Sequence, residues 1–382
     1  VSVTAASGFV AAGIAAGLKS TGAPDLALVV NTGPEKAAAA VFTSNRAKAN
    51  PILWSEQVIA DGVVEAIVLN SGGANCFTGT QGFQTTHATA EAVAEHLGVS
   101  AGDVLVCSTG LIGDQLDRDK LIAGVASAAG ALRADDDTAA SAIITTDTHP
   151  KTVIHHGDGW VIGGMAKGAG MLAPGLATML VVITTDASLT SAQLDTALRA
   201  ATRVTFDRLD SDGCMSTNDQ VTLLASGASG ITPEEGEFAE AVRIVCADLA
   251  RQLQGDAEGA SHDIAIEVIG AASEDEAVEV GRAVSRSNLF KAAIFGNDPN
   301  WGRVLSAIGT TNAAFDPYEV DVSMNGVRVC HAGEPDRPRD EVDLTSRAVH
   351  VGIELHAGDA TATILTSDLT HEYVHENSAY AS

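Results

Sequence analysis

A layered α/β fold, of the α+β sandwich kind, is predicted by three observations: short β-rich runs alternate with helical ones along the chain, the runs at 64–70 and 103–108 read as buried strands, and these end in glycine or small residues. With 382 residues the chain is long enough for one large unit or two, and a hydrophobic share of 46% against an aromatic share of 4% predicts a core built from Ala, Val, Leu and Ile.

Taken in order, VEAIVLN (64–70) and DVLVCS (103–108) read as buried strands. Helical spacing over Asp114 to Leu132 places Leu121, Ile122 and Val125 on one face, so Thr109 and Gly110 fall in a strand-to-helix turn. His155 and His156 precede Gly157-Asp158-Gly159, a hairpin turn signal, and WVIGG (160–164) has strand character. MLVVITTD (179–186) reads as a strand, followed by a helix with Ser191 as N-cap and Leu194 and Leu198 inward. Thr232, Pro233 and Glu235 form a second helix start, its buried face being Phe238, Val242, Val245, Leu249 and Leu253, with Gly255 ending it and Glu258 just beyond. In HDIAIEVIG (262–270), Ile264, Ile266 and Val268 alternate inward, and Ser273 with Glu276 caps the next helix. The polar run 331–343 is a surface loop, and TATILTSDLTHEYV (361–374) reads as a strand entering a C-terminal tail. No solenoid repeat is present.

Lys+Arg is 22 against Asp+Glu 49, a net charge of −27, which argues against binding nucleic acid or an anionic membrane through long-range attraction. The same field repels an amino-acid carboxylate, so a site for one needs a local cation. Only seven lysines exist, and one of them, Lys167, stands in an unusual loop. The five cysteines are dispersed without C-x-x-C spacing, no apolar run reaches membrane-spanning length, and no basic-then-apolar leader opens the chain. These features lead to the expectation of a cytoplasmic protein.

Three motif-like strings carry less than they promise. Gly168, Gly170 and Ala173 match G-x-G-x-x-A, but Pro174 and Gly175 follow where a dinucleotide site needs a helix. His371, Glu372 and His375 spell H-E-x-x-H, yet only seven residues follow His375 and a third zinc ligand downstream is missing. Asp210, Asp212, Asn218 and Asp219 lack the glycine and closing glutamate of a calcium loop. Neither a metal nor a cofactor is expected.

The run KGAGMLAPGLATML (167–180) loosens the chain with glycines and presents one hydroxyl, Thr178, at the start of a strand. A threonine hydroxyl is a weak nucleophile without a base, and cutting the chain before Thr178 supplies one, since an α-amino group titrates near pH ~7.7. Ala177-Thr178 is therefore the candidate self-cleavage site.

This run resembles the processing signature of the ornithine acetyltransferases, also called glutamate N-acetyltransferases. LNSGGANCFTG (69–79), CSTGLIG (107–113), TTDTHPK (145–151), DAEG (256–259), DPNWGR (298–303) and ENSAY (376–380) resemble that family in the same order over nearly the whole chain. The resemblance implies a self-processed, N-terminal-nucleophile-like acetyltransferase, cut into 1–177 and 178–382, with a smaller C-terminal α/β subdomain from about 261. It implies Thr178 as nucleophile, Thr109 and Gly110 as the oxyanion hole, and Thr145, Lys167, Thr178, Glu258, Asn377 and Ser382 as substrate-binding residues. N2-acetylornithine and glutamate are the implied substrates, acetyl-CoA a further donor in some members, and a heterotetramer the implied assembly. Lys167 is expected to meet a carboxylate and Glu258 an ammonium. A self-processing aminopeptidase or amidohydrolase of similar architecture is the alternative.

Overall fold

The computed structural model describes residues 2–173 and 179–379. Three sheets organise it. The first has the strand order Phe9–Ile14, Leu26–Asn31, Ala66–Asn70, Val104–Ser108, antiparallel except for its last, parallel pair. The second runs Ala37–Phe42, Gln220–Ala225, Leu180–Thr185, Val161–Lys167, Lys151–His156, with a parallel pair between Gln220–Ala225 and Leu180–Thr185.

Side-chain alternation stacks these two sheets. In Leu26–Asn31, Ala27 and Val29 face the second sheet, while Leu26, Leu28 and Val30 meet helices Gly79–Leu97 and Arg118–Gly130 on the outside. In Leu180–Thr185, Leu180 and Val182 face the first sheet, and Val181 and Ile183 meet helices Ser191–Val204 and Glu235–Gly255. The result is four layers, helix, sheet, sheet, helix, which is the layered α/β architecture expected. A strand enclosed on both faces must be apolar at every position that packs, and each buried Val or Leu contributes about 1.5–3 kcal/mol. A charge at Val182 would break the stack.

The third sheet orders Glu334–Pro335, Val327–His331, Asp321–Met324, Ala348–Glu354, Asp263–Ala271 and Ala360–Ser367. One of its faces is covered by helices, and on the other Leu365 packs against the core of the stacked sheets. Ile264, Ile266 and Val268 point under helices Glu274–Ser285, Asn288–Phe295 and Trp301–Ile308, and the intervening residues are partly exposed. Ser273 caps the first of these helices by accepting from the Glu276 N–H at 3.2 Å.

Four element readings change. The helix expected from Asp114 begins at Arg118, capped by Asp117, which accepts from the Lys120 N–H at 3.1 Å. Its buried face is Leu121, Gly124, Val125 and Ala128; Ile122 lies on the flank at 37% exposure, because Gly124 is the position that lets Ala16 and Leu26 approach. Thr190, one residue before the expected Ser191, is the N-cap of the next helix, since it completes a reciprocal capping box with Gln193. The helix predicted from Thr232 and Pro233 starts at Glu235 without a side-chain cap, although its predicted apolar face is buried. Finally, the C-terminal strand stops at Ser367 and His371–Ala379 is a helix, so H-E-x-x-H lies on a helix after all. Thr370 explains the start, its hydroxyl accepting from the Tyr373 N–H at 3.0 Å.

Candidate active site

Four loops meet at the ends of strands from the two stacked sheets. Strand Val104–Ser108 delivers Thr109 and Gly110. Gly110 has φ +132°, and a Cβ there would come within 2.8 Å of Gly73 Cα, so only glycine fits the turn. Strand Val161–Lys167 ends in a fully buried lysine whose Nζ donates to Thr109 Oγ1 at 3.2 Å.

Glu258 arrives from the loop after helix Glu235–Gly255, fixed by its N–H donating to Ala169 O at 2.9 Å. Its two oxygens accept from Thr146 Oγ1 and Asn377 Nδ2, each at 2.8 Å. Gly170 lies against this carboxylate so closely that a Cβ would sit 2.6 Å from it.

Together these groups enclose a cavity of about 380 Å³ lined by Thr109, Gly110, Thr145, Lys167, Glu258 and Asn377. That volume suits a small polar molecule. Six of the predicted site residues thus share one wall-to-wall space although they are up to 268 positions apart in sequence, Thr109 to Asn377. Ala177, Thr178 and Ser382 lie outside the described residues.

A buried network stands behind the cavity. Lys151, completely buried, donates to Asp147 Oδ1 and Asp256 Oδ2, each at 2.6 Å. Asp147 also accepts from the N–H groups of Gly168 at 2.6 Å and Thr145 at 3.0 Å. Asp256 accepts from the Thr148 N–H at 2.9 Å.

The electrostatics follow from this packing. Burial pulls the Lys167 ammonium below its ordinary value, with Lys151 adding to the effect and Asp147, Asp219 and Glu258 opposing it. Burial alone would raise Asp147, but the charges of Lys167 and Lys151, with hydrogen bonds from Lys151 and Gly168, hold it at about 2. Burial pushes the Tyr373 phenol at the cavity mouth up to about 12, helped by Asp212, Glu258 and Cys214. Asp219 is raised well above the usual carboxylate range, chiefly by burial, and its Oδ1 accepts from the N–H of Met179 at 3.0 Å, the residue that follows Thr178 in the chain.

A sequence model of the ArgJ family matches residues 10–382. The chain belongs to the ArgJ family. The arginine biosynthesis bifunctional protein ArgJ of Streptomyces coelicolor is 66% identical, covering all of both chains. That of Mycobacterium leprae is 56% identical over all of this chain and 96% of its own. A solved ornithine acetyltransferase from Mycobacterium tuberculosis, complexed with ornithine, is 55% identical, covering 47% of this chain and 96% of that one, with a TM-score of 0.45.

Within this ArgJ chain the decoy strings have other occupations. Gly168, Gly170 and Ala173 follow a strand, and 168–173 are not helical. His371 sets its ring edge-on to Phe295, and among the described residues no group of three His, Cys, Asp or Glu is arranged for a metal ion. His155 and His156 close a hairpin in which the Gly157 N–H donates to Trp160 O at 2.9 Å. The acidic segment frames the cavity: Asp212 accepts from the Met171 N–H at 2.7 Å, and Asn218 donates to Ala74 O at 2.6 Å and Ser108 O at 2.8 Å.

Lys151, Asp147 and Asp256 are functional-site neighbours that the sequence motifs do not distinguish. The signal lies inside two of the family-like strings, since TTDTHPK contains Asp147 and Lys151, and DAEG contains Asp256. Nothing local says that Lys151 is one of the buried lysines.

Proposed function

We propose that this ArgJ chain is an acyltransferase that moves the acetyl group of N2-acetylornithine to glutamate by a ping-pong route through Thr178. One observation carries the reading: a single cavity sets a buried ammonium, Lys167, against a carboxylate, Glu258, beside the turn at Thr109 and Gly110. Acetylornithine and glutamate share an α-carboxylate and differ in side-chain charge, so a site serving both needs a cation and an anion in one space.

In this reading the chain first cuts itself. The Thr178 hydroxyl attacks the Ala177 carbonyl, its proton passes to the departing nitrogen, and the resulting ester is hydrolysed by water. The new amine then accepts the hydroxyl proton as Thr178 attacks the acetyl carbonyl. Lys167 donates to an oxygen lone pair of Thr109, which leaves the Thr109 hydrogen available for the oxyanion, alongside the Gly110 N–H. Ornithine leaves protonated, and the amine of glutamate takes the acetyl group from the threonine ester. Thr145, Asn377 and Ser382 complete substrate binding, and acetyl-CoA is a second acetyl donor.

Fragments 1–177 and 178–382 remain associated because the second sheet interleaves them. Leu180–Thr185 pairs with Val161–Lys167 on one side, and Gln220–Ala225 pairs with Ala37–Phe42. A C-terminal α/β subdomain starts near 261 in the second fragment, and two fragment pairs form a heterotetramer in the cytoplasm. No helix among the described residues is long and apolar enough to cross a membrane.

Assaying acetylornithine with and without glutamate tests the transfer. N-acetylglutamate formed in step with ornithine supports it. Acetate released at the same rate without glutamate would make the chain an amidohydrolase.

A further inference from the structure

Three segments carry the opposed charges of the cavity; Lys167 closes a paired strand, while Thr145, Thr146 and Glu258 stand in loops. Residues 145–148 bring Thr145 and Thr146, 167–170 bring Lys167 and Gly170, and 256–258 bring Glu258. Glu258 reaches the other two directly, by its N–H donating to Ala169 O and its carboxylate accepting from Thr146 Oγ1, and the Asp147, Lys151 and Asp256 network ties all three from behind. Asp147 joins the first two segments, holding the N–H groups of Thr145 and Gly168 on its two oxygens. Asp256 joins the first to the third, holding the Thr148 N–H two residues before Glu258. Lys151, wholly buried at the start of strand Lys151–His156, bridges the two carboxylates.

The geometry points to Lys151 as a positioning residue: through Asp147 and Asp256 it sets the separation of Lys167 from Glu258, and so the side-chain length of the amino-acid substrate that the cavity accepts. Lys151 is not among the cavity-lining residues, so it acts only through its partners. Its two carboxylates are both anchored by backbone N–H groups, which makes the bridge a strut of fixed length in place of a loose surface pair. A substrate spanning from cation to anion must match that length, and a misplacement of about 1 Å costs on the order of a hundredfold in rate.

The inference rests on the proposed acetylornithine reaction. The test compares kcat/KM for N2-acetylornithine with that for its homologues one methylene shorter and longer, in wild type, Lys151→Met and Asp256→Asn. The ratio between donors does not depend on how much of the enzyme is active, so a purely structural defect leaves it unchanged. Lys151→Met is expected to lower the preference for acetylornithine about tenfold or more, mainly through KM. Asp256→Asn, which keeps an acceptor for Thr148 and leaves the Lys151–Asp147 pair in place, is expected to lower it less, and it decides the matter should Lys151→Met fail to fold. Donor ratios equal to wild type in the folded variants overturn the inference. Wild type that turns over none of the three donors refutes the reaction itself, a distinct result.

Discussion

Lys151, Lys167, Asp147, Asp219 and Asp256 lie inside the body formed by the two stacked sheets, whereas the third sheet keeps most of its ion pairs at the surface, the buried His262–Asp368 pair at its strand ends excepted. At that surface, Arg328 meets Asp336, His350 meets Glu267, and Arg337 meets Glu341, all with substantially exposed side chains. The core beneath that sheet is apolar from Ile264 to Ile364. Burying charge costs several kcal/mol per ion unless partners restore what water gave. The stacked sheets gather buried ions of both signs where strand ends converge on the cavity; elsewhere, buried carboxylates such as Asp25 and Asp186 are held by backbone N–H groups, Asp25 by those of Ala16, Leu18 and Lys19 and Asp186 by those of Ser7 and Val161. The third sheet's side of the molecule contributes to the cavity through the helix that follows its last strand, by Tyr373 and Asn377.

If the buried charges serve chemistry, removing one should separate activity from stability. The largest effect is expected for Lys167→Met: kcat/KM for acetylornithine falls on the order of a hundredfold or more, while Tm is unchanged or rises, because an ammonium no longer has to be desolvated. Steady-state kinetics with a thermal melt checks both halves. An unchanged KM for acetylornithine would remove the role given to Lys167.

The third sheet should behave in the opposite way. Ile364, fully buried under helix Glu274–Ser285, is expected to cost about 2–5 kcal/mol when cut to Ala, with kcat per acylated site unchanged. Denaturant unfolding and active-site titration read the two quantities. A matching loss of kcat would mean that the sheet shapes the cavity after all.

A smaller effect is expected in acid. The folded-state value of Asp147, about 2, lies below the unfolded value near ~3.9, so the stability it contributes is complete above that unfolded value and is lost as the pH falls toward 2. The difference corresponds to about 2–3 kcal/mol. Unfolding midpoints of wild type and Asp147→Asn should therefore differ most near neutral pH and draw together in acid, whereas a constant gap would mean that Asp147 acts by shape alone.

The layers were legible in the sequence because both periodicities are strong. Ile264, Ile266 and Val268 alternate, Phe238, Val242, Val245, Leu249 and Leu253 follow helical spacing, and each set is buried as the pattern requires. Boundaries were less legible, since Ser191 and Thr190 are both good caps and only the reach of Gln193 chooses between them. The helix at His371 was hidden because its residues bury no face, leaving no periodicity to read. Within the site, Thr109, Gly110, Thr145, Lys167, Glu258 and Asn377 were named through family motifs, and their meeting is a tertiary fact. The Lys151 strut is illegible for the same reason: its partners are 4 and 105 positions away, and a buried lysine looks like an exposed one until its neighbours are known.

Everything proposed for the site requires that Thr178, freed by cleavage, carries the acetyl group. Purified protein incubated with N2-acetylornithine and no glutamate, then analysed by mass spectrometry under denaturing conditions, tests it directly. Two fragments are expected, with the one beginning TMLVV heavier by a single acetyl group that disappears when glutamate is added. Active protein that remains one uncut chain, or that transfers acetyl without ever carrying it on that fragment, would contradict the account.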